Sequence, residues 1–340
     1  MEELRSHEAL WKVFVNEGDY SPSRVDEHGR ILHKDAALKD ISEPIVSRHL
    51  YEKGLRIRYP GDKAFAVCLS HDIDLLNYSF LVPLLRSGAT RRALRWLDRR
   101  LNPRWNIRAI IDVEERFGAK STFFFLALQP GEKDFNYYIE DLGDEMKMIS
   151  DVGWSIGLHG GYEAWEDVPL LKQQKQALES VAGLPVLGYR NHYMKIKVPA
   201  TWHALEETGF VYDSTYGYPD RAGFRNGMCH PFRPFDLGAN KYLRILEIPL
   251  VVMDGSLLTY MGLGPSEAVS AAKELVDRAH QYNGVISILW HNTHVAKKTP
   301  RRMYQDLLGY CSSKGAWLTS PDELCKWWLK EDPLGQGRSE

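Results

Sequence analysis

The sequence predicts an α/β fold, a distorted (β/α) barrel of about seven to eight parallel strands. Short apolar runs alternate with longer segments of helical periodicity along the 340 residues, as in chains whose parallel strands are joined by helical crossovers. In addition, most apolar runs end in polar residues that could take part in chemistry. The carboxyl ends of barrel strands carry the active site in this architecture.

Apolar runs are predicted to be strands, and the periodic segments between them are predicted to be helices. The strands lie at 64–69, 122–126, 154–158, 186–189, 210–212, 245–253, 285–290 and 316–318. The helices lie at 107–117, 141–152, 168–182, 199–208, 266–281, 300–313 and 321–330. Boundary signals support these assignments, since Pro199 opens one helix and Gly209 closes it.

The predicted barrel spans residues 61–330, with additions at both ends of the chain. Residues 1–60 contain a polar, turn-rich stretch and precede the first strand. We therefore expect them to form an N-terminal extension that packs on the barrel. Residues 331–340 are predicted to be a flexible tail.

Residues 78–106 form a predicted basic helical insertion between the first strand and its helix. Arginines are interleaved there with leucine and tryptophan, at Arg86, Arg91, Arg92, Arg95, Arg99, Arg100 and Arg104. A solvated helix face above a docked apolar stripe is the simpler interpretation. The alternative is an element that binds phosphate or makes peripheral contact with a membrane surface.

Composition narrows the class of protein. A formal net charge of −2 gives no general reason to expect nucleic-acid binding. The cysteines lack metal-ligand spacing, which suits a reducing compartment. The first residues are charged and no run approaches the roughly 18 apolar residues of a membrane span. A cytoplasmic location is therefore expected.

The end of the first strand is the most informative segment. His71, Asp72 and Asp74 follow the apolar run, and we expect them to emerge together. Because side chains alternate along an extended backbone, the carboxylates of Asp72 and Asp74 point the same way. Two close anions favour a cation beside them. A turn in which the carboxylates cap free N–H groups is the alternative.

Later strands end in residues that complete a recognisable set of motifs. The set comprises Ser70–Asp74, Leu158–Tyr162, Arg190–Tyr193, Asp254 and Leu289–His291. In order and spacing these motifs resemble the polysaccharide deacetylase family, carbohydrate esterase family 4 with the NodB-homology fold. More narrowly, they resemble its intracellular WbmS-like branch. The resemblance covers about residues 62–325 and implies a metal-dependent carbohydrate N-deacetylase.

The resemblance also implies catalytic roles. Asp72 corresponds to the general base and His291 to the acid that protonates the departing amine. Arg190 supports the anionic form of Asp72. The backbone N–H of Tyr193 holds the oxyanion, and Asp254 orients His291. We interpret His294, three residues beyond His291, as a surface-loop histidine.

The resemblance implies Asp74 and His159 as metal ligands but leaves the third ligand open. The family pattern places a second histidine four residues after His159, where this chain has Glu163. Glu163 could supply an oxygen, His192 could supply a nitrogen, or the site could be degenerate and the protein inactive. An aspartate with two imidazoles suits zinc, which favours His192. Cobalt, nickel and manganese are the alternative metals.

The predicted substrate is an N-acetylated amino sugar. The loop after the strand at 210–212 is rich in aromatic and arginine residues, which suits the stacking of sugar rings and the binding of an anionic group. We expect an intracellular glycan precursor, free, nucleotide-linked or lipid-linked. An amide or imide hydrolase of the same fold and a catalytically inactive carbohydrate-binding protein are the alternatives.

Overall fold

The computed structural model describes residues 1–77 and 101–336. Most of the insertion predicted at 78–106 lies outside these residues, together with all of its arginines except Arg104. The last part of the predicted tail, 337–340, also lies outside them. Within the described part of the chain, no helix is long and apolar enough to cross a bilayer.

A curled sheet of parallel strands forms the centre of the molecule. The strands are β1 Phe65–Ile73, β2 Ser121–Leu126, β3 Ser155–Gly160, β4 Gly188–Asn191, β5 Tyr212–Asp213, β6 Phe235–Asp236, β7 Lys241–Tyr242, β8 Leu246–Glu247, β9 Val252–Met253, β10 Val285–Leu289 and β11 Ala316–Thr319. Eight of them lie side by side in the order β8-β5-β4-β3-β2-β1-β10-β9. Strand β11 pairs with the first half of β1, whereas β2 pairs with its second half. Strands β6 and β7 form a separate antiparallel pair.

One segment closes the curled sheet. Strands β8 and β9 are its two edges, yet they lie only a few residues apart in sequence. Between them, the N–H of Ile248 donates to the carbonyl of Asp213 at 2.9 Å and the N–H of Val251 donates to Ser287 Oγ at 3.1 Å. The segment thus crosses from β5 to β10. The predicted distorted (β/α) barrel is confirmed.

Helices surround the sheet at nearly the predicted positions. They are α1 Glu2–Ser6, α2 Glu8–Val15, α3 Ile45–Glu52, α4 Ile107–Glu115, α5 Gly143–Asp151, α6 Val168–Ala182, α7 Ala200–Glu207, α8 Pro265–Gln281, α9 Asn292–Val295, α10 Lys298–Ser313 and α11 Pro321–Glu331. Side-chain caps fix two of the starts. Asp167 accepts from the N–H of Leu170 before α6, and Ser320 accepts from that of Glu323 before α11.

Two strand predictions were wrong in detail. Strand β1 continues through His71 and Asp72 to Ile73, with all its residues buried, because each polar side chain finds a buried partner. The run predicted as one strand at 245–253 forms the two short strands β8 and β9. Pro249 lies between them and has no N–H to donate to a ladder.

The longer β1 places His71 away from the aspartates. Since side chains alternate along a strand, His71 and Asp72 face opposite sides. His71 Nε2 lies 2.8 Å from Glu114 Oε1, and its Nδ1 lies 2.6 Å from the carbonyl of Trp290. His71 is therefore part of the barrel's packing, and the expectation that it emerges with Asp72 and Asp74 was wrong.

The N-terminal residues contact the barrel through buried polar groups. Arg225 Nη2 lies 2.8 Å from Asp19 Oδ2, and both side chains are buried. Asn226 donates to the carbonyl of Phe14 at 2.9 Å. At the other end of the chain, Leu334 is buried.

A carboxyl pair is buried where β5 meets β8. Asp213 and Glu247 are partners in the ladder, and neither is exposed to solvent. Burial and the charge of Asp213 raise the pKa of Glu247 well above its ordinary value. The protonated form of Glu247 is therefore favoured, since ionising both carboxyls there would place two unscreened anions together.

Because of this pair we expect the stability of the protein to depend on pH. Glu247→Gln should reduce that pH dependence. A raised folded-state pKa contributes stability that is present at low pH and is lost as pH rises through that pKa. The wild-type melting temperature should therefore fall more as pH rises above the ordinary glutamate pKa of 4.5 than that of Glu247→Gln, which stays neutral. Below that pH, where both side chains are neutral, the two proteins should differ by less than about 1 kcal/mol in free energy of unfolding.

The control is Glu52→Gln, at an exposed position of α3. It should keep the wild-type pH dependence. Equal slopes for wild type and Glu247→Gln in thermal melts would contradict the assignment of the proton to Glu247.

Candidate functional site

Every predicted site residue lies at the carboxyl rim of the sheet. Asp72 lies in β1 and Asp74 follows it directly, His159 lies in β3, and Arg190 lies in β4 just before His192 and Tyr193. Asp254 and His291 follow β9 and β10. The rim surrounds a cavity of about 360 Å³. Asp72, Asp74, His159, His192, Tyr193 and His291 line it, whereas Arg190 and Asp254 are fully buried behind them. Their roles remain predictions, but the fold does bring them together.

Three side chains form a group with the geometry of a metal site. Asp74 Oδ1 lies 3.2 Å from His159 Nε2 and 3.7 Å from His192 Nδ1, and the two nitrogens are 3.1 Å apart. Ligand atoms of a tetrahedral ion with bonds of about 2.0–2.1 Å lie roughly 3.3 Å from one another. The observed spacings match that value.

The hydrogen bonds that orient these residues also fit a metal site. His159 donates its Nδ1–H to the carbonyl of Arg190 at 2.9 Å, and His192 Nε2 lies 3.2 Å from Asp134 Oδ2. The other nitrogen of each ring faces Asp74, where a neutral imidazole presents a lone pair to a cation. Asp74 Oδ1 is buried and accepts no hydrogen bond from any residue that the structure describes. Lone pairs that converge on an unsatisfied carboxylate oxygen fit a bound cation.

The imidazoles also govern the charge of Asp74. Burial alone would raise the pKa of this carboxyl, but His159, His192 and His291 lower it below its ordinary value. Asp74 is therefore anionic, as a metal ligand must be.

Glu163 lies away from this group. It is exposed and precedes the short turn Ala164–Glu166, whereas His159 lies within β3. The two residues therefore do not share a helical face, which the proposal of Glu163 as an oxygen ligand required. The structure places His192, not Glu163, beside Asp74 and His159.

Asp72 has a buried positive partner on the other side of the cavity. Arg190 Nη1 lies 3.0 Å from Asp72 Oδ1. The remaining donors of the guanidinium bind Ser70 Oγ at 2.8 Å and the carbonyl and hydroxyl of Ser214 at 2.9 and 3.0 Å. Arg190 is thus fixed in orientation, with a direct charge contact to Asp72. Asp72 Oδ2 lies 3.7 Å from His159 Nε2, so this carboxylate borders the metal-like group.

Asp254 binds two histidines. Its Oδ1 lies 2.6 Å from His291 Nδ1, and its Oδ2 lies 2.7 Å from His294 Nδ1 and from the N–H of His291. These are hydrogen-bond lengths, shorter than the spacing of atoms that share an ion. The prediction of His294 as a surface-loop residue was wrong, because its ring is held against a fully buried carboxylate.

The same carboxylate keeps His291 protonated. Burial would lower the pKa of His291, but the charge and hydrogen bond of Asp254 outweigh burial and raise it to about 10. His291 Nε2 lies 3.6 Å from Asp74 Oδ2. A proton donor therefore lines the same cavity as Asp72.

Tyr193 adopts an unusual backbone conformation beside the metal-like group. Its φ of 60° and ψ of 9° lie in the left-handed region, which L-residues other than glycine rarely occupy. Such strain clusters at functional sites. Burial and the charge of Asp134 raise the pKa of Tyr193 to about 12, so its phenol keeps its proton.

Sequence reasoning missed several residues of the cavity. Asp134, which orients His192, lies in the loop after β2, and the strand-end rule that found the other residues could have found it. Arg30 and Tyr260 also line the cavity. Arg30 comes from the N-terminal residues and Tyr260 from the π-helical turn Ser256–Tyr260, and no motif marked either.

Comparisons with known proteins support the fold. No family profile matches the sequence, and no curated protein matches it. Solved structures do. A candidate polysaccharide deacetylase from Mycobacterium smegmatis aligns with a TM-score of 0.58 and 18% identity over 82% of this chain and 95% of that chain.

Two further structures align over similar lengths. The Puue allantoinase has a TM-score of 0.59 and 16% identity over 91% of this chain and 99% of its own. A candidate polysaccharide deacetylase from Pseudomonas aeruginosa PAO1 has a TM-score of 0.58 and 16% identity over 81% and 94%. At these identities the likeness concerns the fold. This chain therefore has the fold shared by polysaccharide deacetylases and an allantoinase.

The geometry predicts one tightly bound divalent metal per chain. His159→Ala and Asp74→Ala should lose it, because each removes a ligand from the matched group. His294→Ala and Glu163→Gln should keep it, because neither residue belongs to that group. Metal analysis of protein prepared without chelators, followed by calorimetric titration with Zn²⁺ and Co²⁺, measures both expectations.

The four variants separate the possible sites. Metal lost in His294→Ala but kept in His159→Ala would move the site to Asp254. Metal lost in Glu163→Gln would restore Glu163 as a ligand.

Proposed function

We propose that this protein is a metal-dependent hydrolase that removes the N-acetyl group from an amino sugar. One observation carries the proposal. A group with metal-ligand spacing is bordered by a carboxylate paired with arginine and by a histidine paired with aspartate. Hydrolysis of an amide needs a base for the attacking water and an acid for the departing amine, and this cavity offers both.

Asp74, His159 and His192 are the residues that would hold the metal. Their one carboxylate and two imidazoles suit zinc, with cobalt, nickel or manganese as alternatives. When bound, such an ion supplies Lewis acidity, which polarises the carbonyl and acidifies water at neutral pH.

Asp72 is the proposed general base. It borders the ligand group through His159, and its other oxygen is held by Arg190. The guanidinium supplies the positive charge that an anionic base requires in a buried site. Asp72 would take the proton of the attacking water, and the backbone N–H of Tyr193 would stabilise the developing oxyanion.

His291 is the proposed general acid. Its Nε2 faces the cavity, and Asp254 holds its Nδ1–H and keeps the ring cationic. A cationic imidazole can give the Nε2 proton to the amine nitrogen as the C–N bond breaks. Asp254 also fixes the backbone at His291 through the N–H of that residue, so the ring has little freedom to turn away.

The proposed substrate is a glycan precursor in the cytoplasm, free, nucleotide-linked or lipid-linked. The walls of the cavity suit a sugar, because the rings of Tyr193 and Tyr260 line it beside polar donors. Polysaccharide deacetylases are named among the structures with this fold. We place the chain, as a proposal, near the WbmS-like branch that its motifs resemble.

A second candidate is the hydrolysis of a cyclic ureide or imide. The allantoinase structure covers 91% of this chain, and the same base, acid and metal-like group could open a cyclic amide. The two reactions differ in their products, since only the first releases acetate.

Asp72→Asn should retain the metal and lose turnover. The amide has nearly the same shape but cannot accept a proton, so we expect kcat to fall by about 10²- to 10⁴-fold. Asp112→Asn, at an exposed position on α4, is the matched control and should leave kcat unchanged. A rate in Asp72→Asn within a few-fold of wild type would rule out Asp72 as the base.

A substrate panel tests the reaction itself. Metal-loaded protein should release acetate from N-acetylated amino sugars, lose this activity with a chelator and recover it when Zn²⁺ is added. Opening of allantoin or hydantoin without acetate release would favour the second candidate. Sugar binding by the metal-loaded protein without any turnover would indicate the inactive carbohydrate-binding alternative.

A further inference from the structure

A small turn from the N-terminal residues reaches the cavity. Asp26 closes this turn, because its Oδ1 accepts the N–H groups of His28 and Arg30 at 2.9 Å each. The N–H of Asp26 in turn donates to the carbonyl of Arg30 at 3.0 Å. The turn therefore presents His28 and Arg30 in fixed positions, although it lies outside the barrel.

Arg30 joins this turn to two walls of the cavity. Its side chain is only 6% exposed, and Asp26 Oδ2 binds Nε at 2.8 Å and Nη2 at 2.7 Å. On the opposite side, Nη1 donates to the carbonyl of Tyr193 at 3.2 Å and Nη2 donates to the hydroxyl of Tyr260 at 3.2 Å. Asp26 fixes the planar fork, so the fork can hold both tyrosines in place.

The backbone at Tyr193 requires such support. Tyr193 and Met194 both have positive φ, at 60° and 56°, and two consecutive left-handed residues other than glycine revert unless contacts hold them. Arg30 binds the carbonyl between these two residues. The ring of His28 lies 4.6 Å from that of Tyr193. The turn thus holds Tyr193 by its main chain and by its side chain.

Tyr260 receives the other contact. It is 49% exposed although it lines the cavity, and it ends a π-helical turn, a feature that often marks functional sites. The Arg30 guanidinium carbon lies 5.7 Å from the ring centroid. A half-exposed ring held at the edge of a cavity is suited to stacking against a sugar.

We propose that Arg30 is a positioning residue of the active site. It holds Tyr193 in the left-handed turn that aims the N–H of this residue at the reacting carbonyl, and it holds the Tyr260 ring as a stacking surface for the substrate. This inference rests on the proposed function. It gives Arg30, which lies outside the barrel, a role in binding the transition state and in substrate specificity.

The test compares Arg30→Ala with Arg24→Ala, which removes an exposed arginine from the same segment. In Arg30→Ala, kcat should fall by about tenfold or more with unchanged metal content, because the oxyanion donor is displaced while the metal ligands remain. Amide hydrogen exchange in residues 189–196 should rise. Arg24→Ala should behave as wild type in all three measurements.

Tyr260→Phe separates the two contacts. It removes the hydroxyl that Arg30 binds and leaves the contact to Tyr193, so KM for the sugar should rise a few-fold while kcat stays within about twofold. Arg30→Lys should be intermediate between wild type and Arg30→Ala. A lysine can pair with Asp26, but it cannot bind Tyr193 and Tyr260 in one plane.

Wild-type kcat, KM and exchange in Arg30→Ala would overturn the proposal. So would a loss of kcat that is fully matched by loss of bound metal. If Arg30→Ala does not fold, Arg30→Lys decides, because wild-type kinetics in that variant contradict the planar contact. If the wild-type protein hydrolyses no substrate, the proposed function fails. Exchange at 189–196 then still tests the support of Tyr193.

Discussion

The site depends on the compensation of two carboxylates that one strand places side by side. The end of strand β1 places Asp72 and the following Asp74 at the same rim, where uncompensated anions would repel each other and resist ionisation. The charges of the two carboxylates are compensated in different ways. Asp72 is paired with Arg190, and Asp74 is surrounded by imidazoles, with Oδ1 free of hydrogen bonds from the described residues. This division of charge gives the proposed base and the proposed ligand different surroundings, although the two residues have the same chemistry and lie two positions apart.

The neighbouring strands supply that compensation. Strand β4 delivers Arg190 and, immediately after it, His192, so one backbone segment serves both carboxylates. The carbonyl of Arg190 also orients His159, which links the residue that pairs with Asp72 to the metal-like group. Asp254 shows the same charge compensation elsewhere at the rim, with a carboxylate compensating imidazoles. There a buried carboxylate holds two imidazoles, one of which faces the cavity as a cation.

Local patterns in the sequence were enough to predict the barrel and its helices, because hydrophobic periodicity and capping residues act over short distances. The strand-end rule also located the site residues at one rim. The predictions that were wrong share one cause, because each depended on contacts between residues far apart in the sequence. Strand β1 extends through His71 because Glu114 binds its ring from a helix, and His294 is held by a carboxylate forty residues earlier. Arg30 carried no local signal, since its meaning depends on contacts with Tyr193 and Tyr260 that only the folded chain creates.

The buried ion pair between Asp19 and Arg225 connects the N-terminal residues to the barrel, in addition to their contact with the cavity. Asp19→Ala would leave the Arg225 guanidinium buried without its counter-charge, which typically costs about 3–5 kcal/mol. Trimming the chain back to the barrel would in addition remove one side of the cavity, at Arg30. The barrel and its cavity thus share buried contacts with the first sixty residues, none of which belongs to the motifs.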